Sequence, residues 1–366
     1  MKNKFLFTLI LTSLCLVIYA IKTFAQAEET FKVNKNGTLK VEISSGDIRL
    51  SVWDRDEVRV IYDDDSYSTR IKQSGNNINI TSDDNSDLDI SIPSEYNLNL
   101  NTSGGDVNVQ GNIKGTVKIN TSGGDITVKS VSGNISVNTA GGDIFCENIQ
   151  GEAMLNSSGG DINVGMVSGT CKINTGGGDI HVDNISESLS ITTGGGNIKS
   201  GPVGGDAKII TGGGNVTLEK VSGVLSVTTG GGNISNKGSK GGKVVTGAGN
   251  VDLEDISGGI KISSGAGNIK ADFSSVEESD IKTGYGDIKV FIPSNAKVTI
   301  EAIVKLSNDN IWSVDKKDIS EFIKSDFKSS TEDKRRNEYR AVYQVNGGGT
   351  VISLQSSLGV IEIRKR

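Results

Sequence analysis

The sequence predicts an all-β protein: a single parallel β-solenoid of about ten 18-residue coils, with two short strands per coil and a cap at each end. Three observations predict it. A Gly-Gly-Asp or Gly-Gly-Asn tripeptide recurs at a nearly constant interval, apolar residues alternate within each unit, and the 366 residues include 48 Gly but only 3 Pro. Glycine at this level without proline is typical neither of collagen nor of disordered chains. Hydrophobic residues make up 35%, so a thin core of mainly Ile and Val can form.

The repeat is marked by an Asp or Asn that follows a glycine and precedes an apolar residue. Successive members lie 19, 18, 18, 18, 18, 18, 18, 17, 18 and 19 residues apart. One unit cannot bury its own apolar face, whereas stacked units pair each strand in parallel with its counterpart about 4.8 Å away. The predicted structural ladder consists of Asp106, Asp125, Asp143, Asp161, Asp179, Asn197, Asn215, Asn233, Asn250, Asn268 and Asp287.

Each unit contains two strands with one buried face. Counted from the Asp or Asn, apolar residues recur at +1, +3, +6, +10 and +12, and alternation at a period of two indicates half-buried strands. A Val-Ser-Gly turn separates the strands, and the glycine pair is expected to close the second turn through positive φ angles. In the first fully regular unit the apolar residues are Ile126, Val128, Val131, Ile135 and Val137.

Stacked positions form ladders along the rod. Hydroxyl residues at +14 are expected to satisfy backbone groups at the turn; they are Thr139, Ser157, Thr175, Thr193, Thr211 and Thr229. Ladder carboxylates about 4.8 Å apart would repel each other by about 0.9 kcal/mol in water. We therefore expect them to be solvent-exposed or to accept turn N–H groups, as in Asx-turns, a capping role that Asn can also perform.

The first 27 residues are predicted to be a signal peptide. Lys2 and Lys4 precede an apolar run over 5–21, and residues 25–27 (Ala-Gln-Ala) form a cleavage site of small residues. The alternative is an uncleaved membrane anchor, although the run is short for a span. The chain is thus expected to be exported, to the periplasm or the cell surface. Cys146 and Cys171 occupy inward positions, so buried thiols are expected, with a disulfide as the alternative.

The ends depart from the repeat. We expect an N-terminal strand-rich cap over 28–100, the 18-residue-repeat solenoid over 101–290, and C-terminal strands and a cap over 291–366. A charged insertion at 315–340 is expected to hold a short helix around 319–327. Residues 357–363 imitate the repeat once more and are expected to form a closing strand that covers the edge.

Several segments, in this order, resemble the bacterial putative-adhesin β-solenoid family, whose members are domains of unknown function. The resemblance covers most of 31–366 and implies an envelope-associated or surface-exposed solenoid. It says little about a ligand, and nothing is carried over to the charged insertion. The segments are Gly37-Thr38-Leu39, Ser45-Gly46-Asp47-Ile48, the Trp53 to Val58 stretch, two Ile-Pro-Ser lead-ins at 92–94 and 292–294, and the Gly-Gly-Asp units.

No catalytic, cofactor or metal site is predicted. His181 is the single histidine, at an outward position, and the glycine-rich turns lack the following helix of a phosphate loop. The glycine-rich turns are similar to those of calcium-binding β-rolls, which makes calcium the alternative ligand, but one acidic residue per coil supplies too few of the 6–8 oxygens that calcium needs. A glycan-cleaving enzyme needs clustered carboxylates, whereas outward position +2 is mixed: Thr127, Phe145, Asn163, His181, Lys199, Thr217, Ser235, Asp252 and Lys270.

The sequence therefore favours a non-catalytic exported solenoid, an adhesin-type interaction module for a surface or envelope protein or a glycan. A structural or regulatory, stress-linked envelope component is the alternative, and a glycan-active enzyme is less favoured. The net charge of −6 is spread along the chain, which argues against nucleic acid as a partner. Membrane contact is expected only through an uncleaved signal.

Overall fold

The computed structural model describes residues 26–63, 68–306, 321–335 and 338–366. The predicted signal peptide lies outside this range except for its last two residues. The elements of the described residues are all β-strands. No helix among them has the length and apolar character needed to cross a membrane.

The strands before the regular repeat include two further coils. They are β1 (Gln26–Lys32), β2 (Gly37–Ser45), β3 (Ile48–Trp53), β4 (Glu57–Asp63), β5 (Arg70–Ser74), β6 (Asn77–Asn85) and β7 (Leu88–Pro93).

The regular coils alternate between two sheets. The strands are β8 (Tyr96–Thr102), β9 (Val107–Ile113), β10 (Val117–Thr121), β11 (Ile126–Val131), β12 (Ile135–Thr139), β13 (Ile144–Ile149), β14 (Ala153–Ser157), β15 (Ile162–Val167), β16 (Cys171–Thr175), β17 (Ile180–Ile185), β18 (Leu189–Thr193), β19 (Ile198–Ser200), β20 (Ala207–Thr211), β21 (Val216–Leu218), β22 (Leu225–Thr229), β23 (Ile234–Asn236), β24 (Gly242–Ala248), β25 (Val251–Ile256), β26 (Ile260–Ala266), β27 (Ile269–Phe273), β28 (Ser279–Tyr285) and β29 (Ile288–Ile292).

The C-terminal strands complete the rod. They are β30 (Val298–Lys305), β31 (Ile323–Ser325), β32 (Thr331–Arg335), β33 (Glu338–Val345), β34 (Thr350–Ser357) and β35 (Ile361–Lys365).

Every regular coil contributes one strand to each of two parallel sheets. Sheet A contains the odd-numbered strands β9 to β29, and sheet B the even-numbered strands β8 to β28, each paired in parallel with its counterpart one coil away. The register follows the repeat: Ile135 of β12 faces Ala153 of β14, and Thr139 faces Ser157. The predicted all-β parallel solenoid is therefore confirmed.

The core lies between the two sheets and has the predicted composition. Inward residues of a coil such as Ile126, Val128, Ile135 and Val137 are at most 3% exposed. Burying an Ile or Val side chain contributes about 1.5–3 kcal/mol. Because a coil has only five such positions, its stability depends on the coils above and below it.

At both ends, the order of the coils in space differs from their order in the chain. The β2–β3 coil lies between the β6–β7 coil and the β8–β9 coil, since β2 pairs with β6 and β8, and β3 pairs with β7 and β9. The β34–β35 coil lies likewise between the β28–β29 coil and β30–β31. The expected closing strand is thus not at the edge: β35 is hydrogen-bonded on both sides.

Antiparallel strands cover the exposed edges instead. At the N-terminal end β4 pairs with β7, β1 with β4, and β5 with β6. At the C-terminal end β33 pairs with β30, and β32 with β33. Reversing the strand direction ends the parallel stacking, and so limits the edge-to-edge association that open strands invite.

The prediction of a helix over 319–327 is wrong for the part of this segment that the structure describes. Residues 319 and 320 lie outside the described residues, whereas Ile323–Ser325 form β31 and pair in parallel with β35. Ile323 is 5% exposed and belongs to the core. The local sequence of this charged segment favours a helix, but pairing with β35 in the sheet determines its conformation.

Candidate interaction surface

The predicted Asp/Asn ladder forms one continuous line along an exposed turn edge, from Asp106 to Asp287. Each side-chain Oδ1 accepts the backbone N–H of the ladder residue in the following coil. For example, Asp143 N lies 2.8 Å from Asp125 Oδ1, and Asp161 N lies 2.7 Å from Asp143 Oδ1. The acceptor thus serves the next coil, not its own turn as an Asx-turn would. Since Asn supplies the same acceptor, the line continues unbroken through the Asn coils.

The ladder is longer than the sequence indicated. Asp87 and Asp47 extend it at the N-terminal end, where Asp47 N lies 2.9 Å from Asp87 Oδ1 and Asp106 N lies 3.0 Å from Asp47 Oδ1. At the other end Val360 N lies 2.7 Å from Asp287 Oδ1. Asp87 precedes a buried Leu as the other members precede Ile or Val, which was the signal available for it.

The hydroxyl ladder lies beneath the same edge. Thr139 Oγ1 donates to Gly124 O at 3.2 Å and accepts from Gly142 N at 3.1 Å, as expected for a hydroxyl that satisfies turn groups. The expectation of positive φ at the glycine pair is wrong for this coil, because the ladder glycines that adopt it, such as Gly46, Gly232 and Gly267, lie in other coils. At Gly142 the cause is close approach: an added Cβ would lie 2.0 Å from Gly124 O.

The outer face of sheet A carries mixed charges that pair with each other. Lys270 Nζ lies 3.0 Å from Asp252 Oδ1, and Lys237 Nζ lies 2.6 Å from Glu219 Oε1. The hydrogen bond that Lys270 donates to the Asp252 carboxylate raises the pKa of Lys270 above its ordinary value. On this face these charges are neutralised within the molecule, whereas Lys129 and Lys199 are exposed and form no ion pair among the described residues.

His181 lies on the same outer face, with Nε2 3.0 Å from Asp183 Oδ1, and both side chains are exposed. A shallow depression of about 470 Å³ beside it is lined by Asp179, Lys199 and Asn215, among others. Within the described ranges, no group of three or more His, Cys, Asp or Glu is arranged to hold a metal ion.

The outer face of sheet B differs, because one of its rows is charged only by lysines. The strand registers place five lysines in a single line along the rod, with Ser136, Met154, Ser190 and Ser226 between them. All five are exposed. This lysine row consists of Lys118, Lys172, Lys208, Lys243 and Lys261.

No carboxylate of the described chain lies within ion-pair distance of the lysine row. The sheet B strands from β10 to β26 contain no Asp or Glu at all. The face is therefore locally positive on a chain of net charge −6. Because unpaired like charges in one line repel each other, this arrangement brings no stability to the isolated molecule.

An asparagine ladder runs beside the first part of the lysine row. The amide Nδ2 of Asn138 donates to Asn120 Oδ1 at 2.8 Å, and Asn156 repeats the contact with Asn138 at 2.8 Å. Asn174 continues it at 2.7 Å. These bonds fix the amides in place, so the first part of the lysine row lies beside a line of ordered amide groups.

The row ends in a shallow depression of about 620 Å³ on the same face. Gly242 and Gly259 leave the space open, and Lys261 and Lys282 stand at its wall. Asp280 pairs with Lys282 at 2.8 Å, so the acidic residue that follows Lys261 in register is already neutralised.

Sequence reasoning missed the lysine row because it examined only the outward row of sheet A. The signal was present, since Lys172 and Lys208 lie 36 residues apart, two repeats, at position +11. What the sequence alone did not show is that no carboxylate of the described residues lies within ion-pair distance of these lysines.

Cys146 and Cys171 are free thiols, both buried in the core, as expected. Burial raises the pKa of each thiol to about 12. They therefore behave as small apolar side chains, not as nucleophiles.

The fold and this surface define a class: a parallel β-solenoid with one face of mixed charge and one face that carries the lysine row. Residues 38–201 match the family model of the Toastrack DUF4097 domain. This part of the chain is thus similar to the Toastrack DUF4097 domain, in agreement with the family resemblance seen in the sequence.

Two solved structures are similar to the chain. One is a putative cell adhesion protein from Clostridium sporogenes, with 9% identity, a TM-score of 0.19, and coverage of 93% of this chain and 100% of that one. The other is a putative adhesin from Bacteroides fragilis, with 16% identity, a TM-score of 0.21, and coverage of 73% and 97%. Both TM-scores are low, so these likenesses carry no argument about function. Among curated proteins, none matches the chain.

Proposed function

We propose that the chain is an exported, non-catalytic interaction module of adhesin type, which presents the outer face of sheet B to a partner at the cell envelope or surface. The observation that carries the proposal is the unpaired lysine row. Lysines of sheet A such as Lys237 and Lys270 are neutralised within the molecule, whereas those of the row have no such partner. A charge left unpaired on a rigid surface is available to a ligand.

The scaffold suits binding better than catalysis. Catalytic sites bring several groups together in a concave pocket with perturbed pKa values. Here the outward side chains stand on flat sheets, and the strongest pKa shifts belong to buried groups such as Tyr96 and Cys146.

Export is supported by the signal-like first 27 residues, whose removal would leave a mature chain of 28–366. N-terminal sequencing of the purified native protein tests this directly. A mature chain that starts near residue 28 supports the proposal, and a retained N-terminus would indicate an anchor instead.

The function is tested by fractionating native cells and shaving intact cells with protease, followed by immunodetection of this chain. A periplasmic marker serves as the control for envelope integrity. Digestion of the chain with the marker intact supports an adhesin-type module at the surface. Protection until the outer layer is opened overturns the surface role and favours the structural or regulatory envelope component.

A further inference from the structure

We infer that the lysine row binds a linear acidic polysaccharide, a polymer that carries carboxylates at regular intervals. The inference rests on the proposed function, since it names the partner class of the same face. It is carried by three properties of the row: its straightness, its spacing and the kind of cation that it uses.

The row is straight because strand register places its members on one line. Adjacent strands of a sheet are about 4.8 Å apart, so Lys172, Lys208 and Lys243 follow each other at about 10 Å. Lys261 lies one further coil away, and Lys118 three coils before Lys172. The whole row spans eight coils, or about 38 Å. An extended polymer laid along the rod can contact every member, whereas a small ligand contacts one or two.

The spacing favours a polymer of moderate charge density. Duplex DNA carries one negative charge per about 1.7 Å of its axis, far denser than one lysine per about 10 Å. A polysaccharide with an acidic sugar in each repeating unit matches a sparse row more closely. Serines between the lysines, such as Ser190 and Ser226, place hydroxyl groups where they can bond the sugar hydroxyls.

The cation type indicates point contacts along the polymer. Arginine is the preferred residue for bidentate contacts to carboxylate and phosphate alike. Residues 101–290 contain no arginine at all. Lysine is a compact, strongly hydrated point charge, which suits a hydrated carboxylate polymer held by several weak contacts.

Affinity is expected to come from the number of contacts. A single exposed ion pair contributes little and is screened by salt. Several pairs along one rigid row act together, because each bound unit holds the next at high effective concentration. Binding should therefore increase with polymer length and weaken steeply with ionic strength.

The test uses the mature chain of 28–366 and size-defined polygalacturonate fragments, with neutral dextran and duplex DNA of similar length as comparisons. Binding is measured by calorimetry at about 10 mM salt, where the Debye length is about 30 Å, and at about 0.15 M, where it is about 8 Å. The row variant combines Lys172→Gln, Lys208→Gln and Lys243→Gln.

The matched control removes the same charge from sheet A, through Lys129→Gln, Lys199→Gln and Lys237→Gln. Circular dichroism shows that both variants are folded. The expected result is tight binding of long polygalacturonate only. Affinity should be about tenfold weaker in the row variant, and nearly unchanged in the control.

Equal losses in the two variants, or tighter binding of DNA than of polygalacturonate, would overturn the inference. Absence of polygalacturonate binding at low salt would do the same. None of these results tests the proposed function, which depends on where the chain is located in the cell. If the chain is protected in the shaving test but still binds the polysaccharide, its partner would be an acidic polysaccharide inside the envelope.

Discussion

Two adjacent glycines of one turn should respond oppositely to the same substitution. An added Cβ at Gly160 would lie 2.1 Å from Gly142 O and 2.9 Å from Asp143 N in the preceding coil. At Gly159, nothing lies within 4 Å of the same atom. Gly160→Ala therefore perturbs the contact between two coils, and Gly159→Ala is its matched control.

The magnitude follows from the bonds that cross this contact. To accept the methyl group, the coils must separate by about 1 Å at the turn, since such close approaches are strongly repulsive. The Ser157 Oγ to Gly142 O bond is 3.0 Å, and the Asp161 N to Asp143 Oδ1 bond is 2.7 Å. Stretched by that amount, neither remains a hydrogen bond. Two lost bonds and the strain around them should cost about 2–4 kcal/mol.

The assay is urea unfolding followed by far-ultraviolet circular dichroism, together with hydrogen exchange at the affected turn. Gly160→Ala should lower the free energy of unfolding by the stated amount and deprotect the Asp161 amide. Gly159→Ala should be neutral or stabilising by about 0.4–1 kcal/mol, because alanine restricts the unfolded chain. Similar effects of the two substitutions would refute the close-approach explanation for the glycine repeat.

The remaining predictions concern the ladders and the thiols. Asp143→Ala should cost about 1–2 kcal/mol in the same unfolding assay because Asp161 N loses its acceptor, whereas Asp143→Asn should be neutral; equal costs would contradict the capping role. Thr175→Val should cost about 1–2 kcal/mol and Thr175→Ser much less, since the hydroxyl bridges two coils; equal stability of all three chains would contradict this. Cys146 and Cys171 should not react with iodoacetamide until urea unfolds the chain, as mass spectrometry would show; labelling of the native protein would contradict their burial.

Much of the rod could be predicted from the sequence because its information is local and repeated. The spacing of Asp125, Asp143 and Asp161 gives the coil length, and the alternation in Ile126–Val131 gives the buried face. Each coil packs against neighbours of nearly the same sequence. A wrong assignment of the strands would therefore have to be wrong in every coil, so the pattern averaged over the coils is reliable.

The structural role of a repeated residue was less predictable than its position in the coil. Gly142 was expected at a turn, but its cause is the carbonyl of the preceding coil, not its own φ angle. The Asp ladder was expected to cap, but its donors lie one coil away. In both cases the partner is 18 residues distant, and a local turn motif does not reveal it.

The candidate surface was partly visible in the sequence. The interval between Lys172 and Lys208 already places them on one row. Their lack of an acidic partner depends on what the parallel register places beside them, and this is a property of the assembled sheet. Lys237 has the same exposure to solvent but a partner at 2.6 Å, which no local pattern distinguishes.

The sequence by itself determined the fold class and the strand positions and inward residues of the regular coils. The tertiary structure alone decided how the ends are built, with β2–β3 and β34–β35 inserted between coils that are distant in the chain. The physical reason is that terminal coils are irregular, so several stacking orders satisfy their alternation equally well. Only the packing of whole coils against each other, and the antiparallel strands that must cover the edges, selects among those orders.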